Sequence, residues 1–265
     1  MKLQILYEDM HILVCIKPSG VPSQSDKTAD FDMVNRLKNY LYEKGDCKGQ
    51  PYIGVVHRLD RPVSGIMVFA KTPFSASELS KQIQKKEFCK KYLAVVTADL
   101  SDKLGEDKEL LTDYLVKNGR TNLSSITTEK DKNGKKAQLY YTVKSVKENL
   151  SLVEVELLTG RHHQIRVQLK EHIGGIWGDT KYNIDTEQQN RNKSIQEDKK
   201  QNKNGNLEKM GINNSENVDK VVGNTKKMWK EIALFAYHLE FIHPKTKKKM
   251  VFEEIPKKEP FINFL

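Results

Sequence analysis

The chain alternates short apolar runs with charged turns, and the spacing inside each run separates strand from helix. Positions 3–7 and 12–16 read as two strands around the acidic turn Glu8-Asp9-Met10-His11, and Lys17-Pro18-Ser19-Gly20 turns the chain after the second. From Asp32 to Glu43, Met33, Leu37, Tyr40 and Leu41 recur at helical spacing, with Asp30 or Asp32 as N-cap and Gly45 as stop. A short strand at 53–56 and a polar loop lead to the apolar run 65–70, which reads as a buried strand. Thr72 and Pro73 open a second helix that sets Ala76, Leu79 and Ile83 on one face. Positions 88–97 read as a strand carrying Tyr92. The pattern then weakens from 101 to 136 into turn-rich sequence with two or three short strand candidates. Paired strands follow at 137–146 and 150–158, then a helix at 164–173 stopped by Gly174-Gly175, and late strands at 233–242 and 250–255.

Many strands with few helices, and no regular βαβ alternation, predict an α+β fold built on a mixed, largely antiparallel sheet with flanking helices. No internal repeat is visible. From Ile184 to Met228 the composition changes to Asn, Lys, Gln, Asp and Glu with almost no aromatic residue. Such a segment buries too little apolar surface to offset chain entropy. The expected organisation is one domain formed by 1–183 and 229–265, interrupted by an unstructured surface insertion at 184–228 whose removal leaves activity near normal.

Composition sharpens this picture only in part. The 265 residues carry a formal charge of +10, with a hydrophobic content of 37% and a mean hydropathy of −0.65. The segment 184–228 holds nine basic and seven acidic residues, so +8 of the charge belongs to the remainder and favours a polyanionic partner. Cys15, Cys47 and Cys89 form no C-x-x-C pair, which gives no support to a zinc site or a disulfide framework. A reducing, cytoplasmic setting is expected. No apolar run approaches the ~20 residues that span a bilayer, and the early acidic residues do not fit a secretion signal.

The candidate chemistry sits at His57-Arg58-Leu59-Asp60-Arg61-Pro62-Val63-Ser64-Gly65, where a carboxylate lies between two arginines on a loop leading into the strand from Ile66. A carboxylate on a loop braced by a rigid strand is a common place for a reactive group, although a loop Asp beside Arg is more often a turn residue or a surface ion pair. A second segment, Leu158-Thr159-Gly160-Arg161-His162-His163-Gln164-Ile165-Arg166-Val167-Gln168, joins a turn to a helix; a third, Lys90-Lys91-Tyr92-Leu93-Ala94-Val95, lies in a strand. The adjacent His162 and His163 point apart in an extended chain and make a poor metal site. Gly134-Lys135-Lys136 lacks the rest of a phosphate loop, no G-x-S-x-G of a serine hydrolase occurs, and no acidic cluster suggests a metal-dependent nuclease.

Taken with Lys71, the first segment resembles the H-R-L-D-R-x-x-S-G-[IL]-[LM]-V-F-A-K signature of the RluA-type pseudouridine synthases. The second is similar to that family's L-x-T-G-R-T-H-Q-I-R-V-H, and the third to its K-x-Y-L-A-V. His162 stands where Thr is usual and Gln168 where His is usual. The resemblance extends to Lys17-Pro18-Ser19-Gly20, Gly178-Asp179-Thr180-Lys181-Tyr182 and Phe241-Ile242-His243-Pro244. It implies isomerisation of uridine in structured RNA (ribosomal or transfer RNA), on a bent sheet with a central RNA-binding cleft. It also implies no cofactor or metal and a monomeric protein. By this resemblance Asp60 is the catalytic carboxylate, Arg161 pairs with it, and Tyr92 stacks on the flipped base. Arg58 helps extrude that base, and Arg61, Lys71, His163 and Arg166 contact RNA. The helical RNA-binding module that precedes many family members is expected to be missing. The rival reading is a non-catalytic RNA-binding or ribosome-assembly factor on the same fold.

Overall fold

In the computed structural model, which describes residues 3–25, 30–45, 49–183 and 231–265, the chain opens with β1 (Gln4–Glu8) and β2 (Ile12–Lys17), paired antiparallel. Asp9 makes the turn between them, its carboxylate accepting from the amides of His11 and Ile12 at 2.7 and 2.8 Å. Helix α1 (Met33–Lys44) begins at Asp32, whose side chain accepts from the Asn35 amide at 2.8 Å, and ends at Gly45 with φ 79°. Its buried residues Met33, Leu37 and Leu41 are spaced by four and share one face. After β3 (Gly54–Val55) and β4 (Ser64–Ala70) comes α2 (Pro73–Gln84), with Thr72 as N-cap and Pro73 in the first turn.

The remaining elements are β5 (Cys89–Val96), β6 (Glu109–Asn118), β7 (Leu123–Thr127), β8 (Lys135–Lys147), β9 (Leu150–Leu157), α3 (Gln164–His172), β10 (Leu234–Ile242) and β11 (Lys249–Glu253). The eleven strands form one sheet in the order β1-β2-β4-β10-β5-β9-β8-β6-β7, with β3 against β4 and β11 against β10. Among the described strands only β4 and β10 pair in parallel. The fold is therefore α+β with a mixed, largely antiparallel sheet. One difference from the sequence pattern is β6, ten residues long where only short candidates were legible. Its inward Leu111 and Leu115 lie four apart, a spacing shared by helix and strand, while most of its other residues face solvent and blur the alternation. The segment 184–228 lies outside the described residues; strands from before and after it join the same sheet.

The centre of the sheet has apolar material on both faces. In β2, Leu13 and Cys15 join the cluster that contains Met33, Leu37 and Leu41 of α1, while Ile12 and Val14 join the cluster of Leu79 in α2. The same split sends Met67 and Phe69 of β4 one way and Ile66, Val68 and Ala70 the other. Strands covered on both faces read as unbroken apolar runs, which accounts for the sequence of β4.

Where β4 meets β10 only two residue pairs connect, Ser64 with Phe235 and Gly65 with Ala236. Gly65 has φ 132°, and a Cβ on it would stand 2.4 Å from the Ala236 carbonyl oxygen. Glycine is required here by conformation and by space. Ala236 pairs on its other side with Tyr92 of β5. The start of β4 and the middle of β5 are thus separated by one strand.

Candidate active site

The loop before β4 is fastened from below. Leu59 is buried, and the Ser23 hydroxyl donates to its carbonyl at 2.9 Å while accepting from its amide at 3.2 Å. Lys17, at the end of β2 and wholly buried, donates its ammonium to the carbonyls of Pro18, Val21 and Arg61 at 3.0, 2.8 and 3.1 Å. Burial pulls its pKa down to about 7, against the charge of nearby Asp60. Arg61 turns to the carbonyl of Gly20 at 2.9 Å and to Asp30. Ser19 donates to the Pro62 carbonyl at 2.9 Å, and the Val63 amide closes the turn on the Asp60 carbonyl at 3.0 Å. His57 satisfies the sheet: its Nε2 accepts from the Val68 amide at 3.1 Å, and burial, then the charge of Lys90, hold the ring neutral with a pKa of about 3.

These contacts leave the Asp60 side chain, 29% exposed, facing two residues at the start of α3. Arg166 Nη1 lies 3.4 Å and His163 Nε2 3.7 Å from Asp60 Oδ2. Arg166 is 3% exposed and forms a bidentate pair with Asp179, Nε to Oδ2 at 2.6 Å and Nη2 to Oδ1 at 2.7 Å. Its guanidinium carbon is 5.0 Å from the centre of the Tyr182 ring. Burial raises the Asp60 carboxyl above its usual range, helped by the Asp179 charge and opposed by Arg166 and Lys17. Tyr92 is buried close enough for the Asp60 charge to add to burial in lifting its phenol pKa. The site therefore holds a partly desolvated carboxylate, a guanidinium fixed by a second carboxylate, a neutral imidazole and a protonated tyrosine.

The expected residues divide accordingly. Asp60, Tyr92, His163 and Arg166 converge, but His163 and Arg166 are buried and turned to the carboxylate, not displayed as a surface for RNA. Arg161 does not pair with Asp60; it is exposed and its Nε donates to the Lys136 carbonyl at 2.9 Å. The physical reason is the helix start. Arg161 precedes α3, its amide donating to Gln164 at the start of that helix at 3.0 Å while its side chain points back to β8, whereas Arg166 lies in the first turn on the side facing the loop. Lys71 is not part of the site either. It follows the far end of β4, roughly 20 Å along the strand from Ser64, and pairs with Glu8 at 2.7 Å. Arg61 braces the loop. Arg58 is exposed, and its charge reaches His162.

His162 and His163 do not point apart. His163 has φ 54°, a left-handed backbone that folds the two rings together with centres 3.8 Å apart, and His162 Nδ1 meets Ser124 Oγ at 2.8 Å. Lys17, Asp179 and Tyr182 were legible only as parts of similar segments, without a role. A lysine at a strand end, and a tyrosine after a turn, carry no local sign of what they reach across the fold.

Comparison with known proteins identifies the family. A family model described as RNA pseudouridylate synthase matches residues 11–171. The chain belongs to that family. Among its relatives, the uncharacterized RNA pseudouridine synthase YhcT of Bacillus subtilis (strain 168) is 34% identical over 185 residues, 68% of this chain and 58% of the relative. The ribosomal large subunit pseudouridine synthase C of Rickettsia bellii (strain RML369-C) is 35% identical over 183 residues, covering 68% and 57%. The chain thus matches little more than half the length of these curated synthases. Human RNA pseudouridylate synthase domain containing 4 has the same fold, with a TM-score of 0.65 at 19% identity over 96% of this chain and 89% of that one. All three motif segments of this synthase-family chain fall inside the matched span.

Proposed function

We propose that this chain isomerises uridine to pseudouridine in RNA, with Asp60 as the reacting carboxylate. The reaction breaks the bond from uracil N1 to ribose C1′ and forms one from C5 to C1′, with a proton leaving C5 and one arriving at N1. No electrons enter or leave, so the proposal needs no cofactor. Attack on the sugar, attack on the ring, and removal of a ribose proton all demand the same thing of the protein: an ionised carboxylate in a partly dry pocket beside a base taken out of its stack. The carrying observation is Asp60 at 3.4 Å from a buried Arg166 that Asp179 holds from behind. Burial opposes the charge on Asp60, and Arg166 and Lys17 counter part of that effect. Tyr92, across one strand from the loop, supports a stacking role for its ring.

The substrate class follows from the family and the charge of +8 outside 184–228, which favours RNA as the partner. The name of the Rickettsia relative makes large-subunit ribosomal RNA the first substrate to test, with transfer RNA second. A monomer acting in the cytoplasm, with 184–228 as a dispensable insertion, completes the proposal. Incubation with unmodified ribosomal and transfer RNA, followed by carbodiimide-dependent reverse-transcription mapping, tests it. A new stop with the wild type and none with Asp60→Asn is the expected result. Tight binding without a new stop overturns the reading in favour of a non-catalytic RNA-binding factor.

A further inference from the structure

Resting on the reading of Asp60 as the reacting group, we infer that Tyr182 is the positioning residue of this site, its hydroxyl fixing His163 as the Nε2–H tautomer that faces Asp60. The Tyr182 oxygen accepts from the Ser124 amide at 2.8 Å. A phenol that accepts there keeps its own proton for a second partner, and His163 Nδ1 lies 2.6 Å away. With Nδ1 accepting, the proton of the neutral ring sits on Nε2, the atom 3.7 Å from Asp60 Oδ2.

The surroundings keep the ring neutral. The charged and titratable groups acting on it are Arg166 and His162 from the start of α3, Lys117 from β6, Lys181 and Tyr182 from the segment after α3, and Asp60 from the loop. Burial and the cations push its pKa far below the ordinary range. His163 is consequently a neutral ring whose N–H is held toward Asp60, and not a second cation. The Tyr182 ring does further work: it meets His163 edge-on at 5.5 Å and 88°, and lies 5.0 Å from the Arg166 guanidinium. One side chain from the stretch after α3, tied to β7 through Ser124, thus orients both partners of Asp60.

The experiment uses the full chain labelled with ¹⁵N-histidine. Two-bond ¹H–¹⁵N correlation spectra report the tautomer of each ring, His163→Gln assigns the His163 signals, and single-turnover assays on the unmodified substrate RNA report the rate. The wild type should show His163 as one neutral tautomer protonated at Nε2. Tyr182→Phe keeps the ring and deletes the hydroxyl. It should lose that single tautomer and slow the turnover step by about 10- to 100-fold, with RNA affinity retained. An unchanged rate, or a slowed rate with the tautomer intact, overturns the inference. Should Tyr182→Phe fail to fold, His163→Gln offers an amide N–H without needing Tyr182. It should turn over faster than His163→Leu, and equal losses overturn the inference. Wild-type turnover in Asp60→Asn overturns the assignment of Asp60 instead, and the tautomer spectra remain an independent reading of Tyr182.

Discussion

Asp179→Asn changes one atom in the most deeply buried ion pair of the site, and the structure fixes what that atom meets. Asp179 Oδ1 accepts from Arg166 Nη2 at 2.7 Å and from the amides of Lys181 and Tyr182 at 3.0 and 3.4 Å, while Oδ2 accepts from Arg166 Nε at 2.6 Å. An asparagine can keep its oxygen toward the three donors, but its NH₂ group then faces the Arg166 Nε–H, donor against donor. The flipped amide is worse, opposing three donors. The carboxylate charge is lost as well, and a charge pair about 4 Å apart at an effective dielectric of 20 is worth ~4 kcal/mol. Asp60 recovers part of this, because its Oδ2 already lies 3.4 Å from Arg166 Nη1. The expected net loss is about 3 kcal/mol of unfolding free energy, the lower end for breaking a buried pair by removing one partner. In a chain of this size that is roughly 6–12 °C in Tm. Urea denaturation followed by circular dichroism at pH 7 measures it. A variant within ~0.5 kcal/mol of wild type would refute the claim that Asp179 compensates a buried Arg166 charge.

Other perturbations separate the site's parts. Asp60→Asn should abolish isomerisation and leave RNA affinity intact, without lowering stability at pH 7. The sign follows from the raised folded pKa: the fold favours the neutral carboxyl, so its contribution is full below the ordinary 3.8 and is lost as pH rises through the folded value. A clear drop in denaturation midpoint at pH 7 would count against this account of the Asp60 environment. Arg166→Ala should reduce turnover by at least ~100-fold while Arg161→Ala stays within ~3-fold, and the reverse order would restore the pairing implied by the family resemblance. Gly65→Ala should cost roughly 2–5 kcal/mol, since φ 132° and a Cβ 2.4 Å from the Ala236 oxygen add strain to overlap; soluble protein of wild-type stability would contradict it.

Much of the fold was legible because its signals are local. The caps at Asp32 and Thr72, the stop at Gly45 and the apolar runs of β2 and β4 act over a few residues. β6 was hard to read because its inward leucines keep a spacing that fits either helix or strand. Within the site, Asp60 and Tyr92 were marked by their segments. Arg161 and Arg166 lie five apart in one motif; the sequence pairs the carboxylate with Arg161, and the structure sets Arg166 beside it instead. Nothing local distinguishes two arginines at a turn-to-helix junction, because the choice depends on which side of α3 faces the loop.

By itself the sequence determined the periodicities that make strands and helices, the basic charge outside 184–228, and the family segment that carries the Asp60 carboxylate. Tertiary structure decided which charge meets which. Packing α3 against β6 and β7 turns Arg166 inward between Asp60 and Asp179, buries Lys17 beneath the loop, and brings Tyr182 onto His163. These contacts span from 13 to 106 positions along the chain wherever they tie the loop or α3 to another element. Their strength comes from exclusion of water at the meeting point, and that exists only once the layers have closed.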